Sequence, residues 1–214
     1  MKAEVLKALA ETRLVAIIRG MDPEICVKLA EAYVEGGIRL VEVTFDQTGD
    51  PDKTVAAIRA IRERFAGKLH VGAGTVLTEA QLKAVIDAGG EFMVTPSVNP
   101  ALIRMCVAAG LVAMPGAFTP SEIVAAHEAG ADIVKVFPVR SLGPQYVKDV
   151  LAPLKHISLM AVGGVNPDNA ADYLRAGCVG VGASGSLVNK EWIAAGEWSK
   201  IAAEARRFIA SLSC

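Results

Sequence analysis

Lys135 sits in DIVKVFP, between Val134 and Val136, where an ammonium interrupts a run of branched apolar residues. Burying that charge unpaired is costly, or it lowers the amine's pKa until the charge is lost. A lysine so placed is either paired or chemically useful, because a neutral amine in an apolar site can attack a ketone. Glu42 interrupts LVEVTF in the same way. The period-two rule puts Leu40, Glu42 and Thr44 on one face, and Ile133, Lys135 and Phe137 on another. If both faces look inward, a carboxyl and an amine share an apolar site and can divide acid and base roles. A plain stabilising salt bridge between them is the competing reading. Other apolar runs also end on polar or turn-forming residues: Arg19 after LVAII, Thr75 in VGAGT and Pro96 after FMVT. Two glycine-rich ends, AVGGVNPDN with Gly163 and Gly164, and VGVGASGS with Ser184 and Gly185, expose backbone N–H groups of the kind that cradle phosphate.

These residues need elements to hold them. Short apolar, β-branched runs recur along the chain: LVAIIR, IRLVEVT, LHVGAGT, EFMVTP, LVAMPG, DIVKVFP, ISLMAVGG and VGVGAS. Continuous rather than alternating apolar character implies burial on both faces, as in parallel strands covered by helices. Between them lie segments of helical period that open on Pro, Asp, Thr or Asn and mostly close on Gly, from PEICVKLAEAYVEGG to NPDNAADYLRAG. Eight strands alternating with helices predict an α/β fold, a (β/α)8 TIM barrel, in one compact domain over residues 1–214 with a short amphipathic N-terminal helix. An open doubly wound sheet is the rival, but no G-x-G-x-x-G follows the first strand. In a barrel, chemistry gathers at the carboxyl ends of the strands, where the polar interruptions fall.

Composition narrows the partners. Twenty-two basic residues against 23 acidic give a net charge of -1, with no basic cluster dense enough to track a nucleic acid or an anionic membrane. The longest uncharged stretch, Met105 to Ser121, is broken by Gly110, Pro115, Gly116 and Pro120, so no membrane span is expected. Cys26, Cys106, Cys178 and Cys214 lie far apart and form no C-x-x-C pair, which predicts reduced thiols, a cytoplasmic setting and no zinc site. His70, His127 and His156 are scattered and read as structural, and Trp192 and Trp198 as packing for the C-terminal helix or an interface.

The motifs VAIIRG, GGIRLVEVT, VGAGTVL, FMVTPSV, MPGAFTPSE, IVKVFPV, GPQYVK and AVGGVNPDN, in this order over about residues 10 to 190, resemble the bacterial 2-keto-3-deoxy-6-phosphogluconate and 4-hydroxy-2-oxoglutarate aldolase family. The resemblance implies a class I aldolase that cleaves a 2-keto acid through an imine and releases pyruvate, without metal or organic cofactor, as a homotrimer. It implies that Lys135 forms the imine and that Glu42 shuttles protons, partly through water. Arg19 and Thr75 match positions that bind or orient the pyruvate carboxylate. Pro96 lines the pocket, Phe137 packs against the bound ketone, and Gly163 and Gly164 match the phosphate loop.

Two positions depart from the family pattern. Asp46 stands where many members carry an Arg for an anionic group, which transfers the anchoring role to Arg19. Gly185 stands at the phosphate-binding Ser, with Ser184 and Ser186 beside it. The expected substrate is 2-keto-3-deoxy-6-phosphogluconate, with the galactonate epimer and 4-hydroxy-2-oxoglutarate as alternatives for the same chemistry. A metal-dependent sugar-phosphate decarboxylase with a D-x-K-x-x-D strand is a rival from another class, although only Asp132 and Lys135 of that pattern are present. A barrel that merely binds a sugar acid is the non-enzymatic reading.

Overall fold

The computed structural model describes residues 1–212; Cys214 lies outside them. The strands are β1 (Leu14–Ile18), β2 (Leu40–Thr44), β3 (His70–Gly74), β4 (Phe92–Val94), β5 (Val112–Met114), β6 (Gly116–Ala117), β7 (Val134–Val136), β8 (Leu159–Val162) and β9 (Gly180–Ala183). All pair in parallel, in the order β5-β4-β3-β2-β1-β9-β8-β7-β6. The eight expected strands thus appear as nine segments, because Pro115 divides the fifth into β5 and β6. Proline has no N–H to give to a ladder, but its carbonyl still accepts the Lys135 N–H at 2.8 Å. The two halves are one stretch of chain, so the sheet closes into the (β/α)8 barrel.

Every strand residue is buried, which is the cause of the continuous apolar runs. The apolar side chains divide into two clusters. One lies between the sheet and its helices. The other fills the barrel, with Val15, Ile17, Leu40, Phe92, Val94, Val112, Met114, Ile133, Met160 and Val162, the inward positions of alternating residues. Helix α1 (Lys2–Thr12) plugs the N-terminal end, inserting Val5, Ala8 and Leu9 into that inner cluster.

Outer helices α2 (Pro23–Glu35), α3 (Pro51–Arg64), α4 (Glu79–Asp87), α5 (Pro100–Ala108), α6 (Pro120–Glu128), α7 (Gly143–Leu151), α8 (Ala170–Arg175) and α10 (Trp198–Ser211) follow the strands, with a short α9 (Lys190–Ala194) before the last. Their starts obey capping chemistry. Thr78 with Gln81, and Thr119 with Glu122, form capping boxes, while Asp50 and Asn99 cap with their side chains. Helix α10 closes the ring against α2 so tightly that a Cβ on Gly36 would lie 2.4 Å from the Ala205 Cβ. Trp198 opens α10, its ring under Lys28 at 5.5 Å. Cys26 and Cys106 occupy buried helix faces, where burial pushes both thiols up to about 12.

Candidate active site

Strand β7 carries Lys135 into the barrel near its C-terminal mouth, where it is 6 % exposed. Its neighbours on either strand are Gly116 and Met160. The Lys135 ammonium lies 4.8 Å from the centroid of the Phe137 ring, two residues along on the same face. Among the described residues no carboxylate stands within 4.0 Å of it, so the simple salt bridge with Glu42 does not form. Burial pulls the amine down from the ordinary lysine range; the Glu42 charge opposes this and Arg19 adds to it. Lys135 is therefore displaced toward the neutral, nucleophilic form.

Glu42, on β2, is 2 % exposed. Burial raises its pKa, against the opposing pull of Lys135 and Arg19. β3 places glycine at both inward positions opposite β2, Gly72 across from Glu42 and Gly74 across from Thr44; Gly72 makes way for Phe92, and Gly74 leaves the room for the Glu42 carboxylate. A Cβ on Gly74 would stand 2.5 Å from Glu42 Oε1. The next residue, Thr75, holds φ at 56°, a left-handed conformation that is a genuine outlier for a β-branched side chain. Such strain collects where a binding site over-determines the backbone. Pro96 follows β4, and its backbone presses on Gly116, whose Cβ would meet Pro96 C at 2.6 Å. That brings the β4 end beside the strand neighbour of Lys135.

A cleft of about 450 Å³ opens from Lys135 toward the last two βα loops. It gathers seven of the residues expected from sequence: Arg19, Lys135, Phe137, Gly163, Gly164, Ser184 and Gly185. Glu42, Thr75 and Pro96 do not line it; Glu42 stands across the sheet from Ile17, which does, and the other two follow β3 and β4. Gly163 and Gly164 take φ of 101° and 86°, and Asn169 pins their loop by donating to the Gly164 carbonyl at 3.0 Å while accepting from Asn166 N–H at 2.9 Å. Ser184 is partly committed, since its hydroxyl donates to the Ile17 carbonyl at 2.9 Å. The Ser186 hydroxyl is buried on the cleft wall without a hydrogen-bond partner among the described residues. At Gly185 a Cβ would meet nothing within 4 Å.

Arg140 is the residue that sequence reasoning missed. It lies on a 3-10 turn (Val139–Ser141) after β7 and lines the same cleft. Gly164 leaves the space for it: a Cβ there would sit 2.6 Å from Arg140 Nε. The only sequence signal was a basic residue shortly after an apolar strand, which periodicity does not reach. Arg19 and Arg140 have no ion-pair partner among the described residues, so two cations face the cleft.

Asp46, the departure on β2's following loop, lies outside this cleft. Its Oδ1 accepts from Thr48 N–H at 2.9 Å and from the Thr48 hydroxyl at 2.8 Å, bonds that hold its pKa down. It is a turn-forming residue beside a separate hollow of about 190 Å³. Asp132 is likewise occupied: it accepts from Ala113 N–H at 2.9 Å and pairs with Lys2 of α1 at 2.8 Å, tying β7 to the plugged end of the barrel. Among the described residues no cluster of His, Cys, Asp or Glu has the arrangement of a metal site, and no helix is long and apolar enough to cross a membrane.

An amine displaced toward neutrality, a buried carboxyl coupled to it and a cationic cleft describe a site for acidic carbonyl compounds, and comparison with known proteins gives the same picture. Residues 5–204 match the family model described as KDPG and KHG aldolase. The chain is 41 % identical to a probable 2-dehydro-3-deoxy-6-phosphogalactonate aldolase of Rhizobium meliloti, over 83 % of this chain and 82 % of that one. It is 37 % identical to the 2-dehydro-3-deoxy-6-phosphogalactonate aldolase of Escherichia coli, over 81 % and 83 %. It is 34 % identical to the 2-dehydro-3-deoxy-phosphogluconate aldolase of Treponema pallidum, over 93 % of both. Among solved structures, a KDPG aldolase from Legionella pneumophila, with pyruvate captured at low pH as a covalent carbinolamine intermediate, superposes with a TM-score of 0.83 at 26 % identity, over 93 % of this chain and 95 % of that one. A cube-shaped cage designed by fusing symmetric oligomeric domains matches with a TM-score of 0.85 at 33 % identity, over 94 % and 72 %. Fold, buried lysine and family match agree, and the chain belongs to the KDPG and KHG aldolase family, whose members are carbon–carbon lyases.

Proposed function

We propose that Lys135 is the Schiff-base nucleophile with which this chain cleaves 2-keto-3-deoxy-6-phosphogluconate to pyruvate and glyceraldehyde 3-phosphate. The observation that carries the reading is the Lys135 amine itself, buried at the cleft floor with its pKa lowered and, among the described residues, with no carboxylate in ion-pair range. The neutral amine attacks C2 of the keto acid, water leaves, and the protonated imine becomes the electron sink. Glu42 takes the C4 hydroxyl proton, the C3–C4 bond breaks, and its electron pair passes into the enamine as the C4 oxygen becomes an aldehyde. Glu42 then returns a proton to C3, and hydrolysis frees pyruvate and the lysine. Burial shifts the Glu42 pKa upward from the ordinary carboxylate range, the direction that helps a group which must give a proton back as well as take one. Arg19, with Thr75 and Pro96 at the adjoining strand ends, orients the carboxylate end.

The phosphate end lies toward Gly163, Gly164, Ser184, Gly185 and two further groups of the same cleft, Arg140 and the Ser186 hydroxyl. A guanidinium at that end favours a phosphorylated substrate over 4-hydroxy-2-oxoglutarate. The galactonate epimer is a second reading, favoured by the 41 % and 37 % identical relatives and by Asp46, whose turn offers no cation to the substrate. A homotrimer in the cytoplasm, built from a one-domain chain, completes the proposal. It is supported by the similarity to a symmetric oligomeric cage component and by Phe118 and Leu77, large apolar side chains exposed at 42 % and 39 % after β6 and β3. Light scattering of the purified protein tests the assembly.

Borohydride reduction in the presence of pyruvate tests the chemistry. One reduced pyruvate adduct on Lys135, absent from Lys135→Ala, is expected; no adduct, or one that survives in the variant, overturns the reading. Side-by-side kcat/KM on the gluconate, galactonate and unphosphorylated substrates ranks the three.

A further inference from the structure

Thr44 carries a hydroxyl for which the described residues supply no partner. The residue is 4 % exposed, its Oγ1 is buried, and no described group bonds to it. Most buried hydroxyls in folded proteins are hydrogen-bonded, because an orphan loses its hydration without compensation. Valine would satisfy the same strand position without that loss. The hydroxyl is explained if its partner arrives with the reaction.

The surroundings indicate the partner. Thr44 follows Glu42 on the same inward face of β2, opposite Gly74. The point where a Gly74 Cβ would stand is 2.5 Å from Glu42 Oε1 and 2.8 Å from Thr44 Cγ2, so both side chains border one notch left by the glycine. The Thr44 hydroxyl does not bond Glu42 directly within 3.5 Å. A single hydroxylic oxygen between them would satisfy both.

We infer that Thr44 is a positioning residue for proton transfer, its hydroxyl holding the oxygen that exchanges a proton with Glu42. This rests on the aldolase reading above and deepens it. The oxygen belongs either to a water or to the C4 hydroxyl of the substrate. In cleavage, the C4 O–H proton goes to the Glu42 carboxylate while the C3–C4 electron pair enters the enamine. In the return step, the proton held by Glu42 forms the new C3–H bond and the enamine becomes the protonated imine. Thr44 ends each step with the proton it began with, so it sets geometry and is not consumed.

The experiment compares Thr44→Val and Thr44→Ser with the parent protein in three measurements: borohydride-trapped pyruvate, solvent deuterium exchange into the pyruvate methyl group, and kcat for aldol cleavage. Thr44→Val is expected to trap pyruvate at parental yield and to melt no lower than the parent, yet to lose about tenfold or more in kcat. Thr44→Ser should recover most of that loss. Loss of both exchange and cleavage assigns the oxygen to water, since pyruvate has no C4 hydroxyl; loss of cleavage alone assigns it to the substrate. The inference fails if Thr44→Val keeps its kcat, if the serine variant falls equally far, or if kcat and melting temperature drop together. A parent protein that traps no pyruvate would overturn the aldolase reading instead, and this inference with it.

Discussion

The two ends of the barrel each hold a carboxylate that is 2 % exposed, and they treat it in opposite ways. At the N-terminal end, Glu91 accepts from the Val71 N–H at 3.3 Å, stands 3.1 Å from His70 Nδ1 and lies 3.7 Å from Arg62. Asp132 at that end is paired with Lys2. At the C-terminal end, among the described residues, Glu42 has no such donors, Lys135 has no carboxylate in reach, and Arg19 and Arg140 have no ion-pair partner. Equal burial therefore does not mean equal purpose. A buried charge that the protein satisfies holds the fold together, whereas one left unsatisfied is held ready for a ligand.

Exchanging the charges tests this contrast most strongly. Glu42→Gln should lower turnover by about 10²- to 10⁴-fold while still trapping pyruvate on Lys135 and melting no lower than the parent at neutral pH. Turnover at the parental level would remove Glu42 from proton transfer. At the rim, Arg140→Ala should raise KM for phosphorylated substrates by about 10- to 100-fold and leave pyruvate trapping untouched; an unchanged KM would move the phosphate elsewhere. Gly185→Ser sharpens the same point, because the added hydroxyl enters open space and should lower that KM several-fold.

Glu91→Ala is the opposite case. It strands the Val71 N–H and removes the partner of His70 and Arg62, at a cost of about 2 kcal/mol, or roughly 4–8 °C in Tm for a chain of this size. Its kcat should stay within about twofold of the parent. If Glu91→Ala lost activity without losing stability, the distinction between the two ends would collapse.

The smallest effect is a slope with pH. The folded pKa of Lys135 lies below its unfolded value of about 10.4. Between those two values the unfolded chain binds more protons, so stability rises with pH across that window. For Glu42 the folded pKa is raised above the unfolded value of about 4.3. The stability it contributes is complete below the unfolded pKa and is lost as pH rises through the folded one. Denaturation of Lys135→Met and Glu42→Gln across pH should remove the respective slopes, and slopes unchanged from the parent would contradict the burial assigned to these groups.

Alternating apolar runs and helical segments determined the barrel, because a chain that repeats strand, helix and glycine stop can bury its strands on both faces in few ways. The period of two placed Lys135, Phe137, Glu42 and Thr44 inward for the same reason. The break at Pro115 was visible only as a proline; that the strand continues across it depends on the carbonyl partner supplied by β7. Arg140 escaped the pattern since a 3-10 turn has no periodicity to betray where its side chain goes. Gly74 gave no sign of being the space for a carboxylate, which exists only because β2 and β3 lie side by side. Sequence identified Glu42 as a charge in apolar surroundings but did not single out Glu91, which heads the run EFMVTP. Which of them was answered by neighbours and which was left open was decided by tertiary structure, because hydrogen-bond partners come from strands and helices distant in the chain.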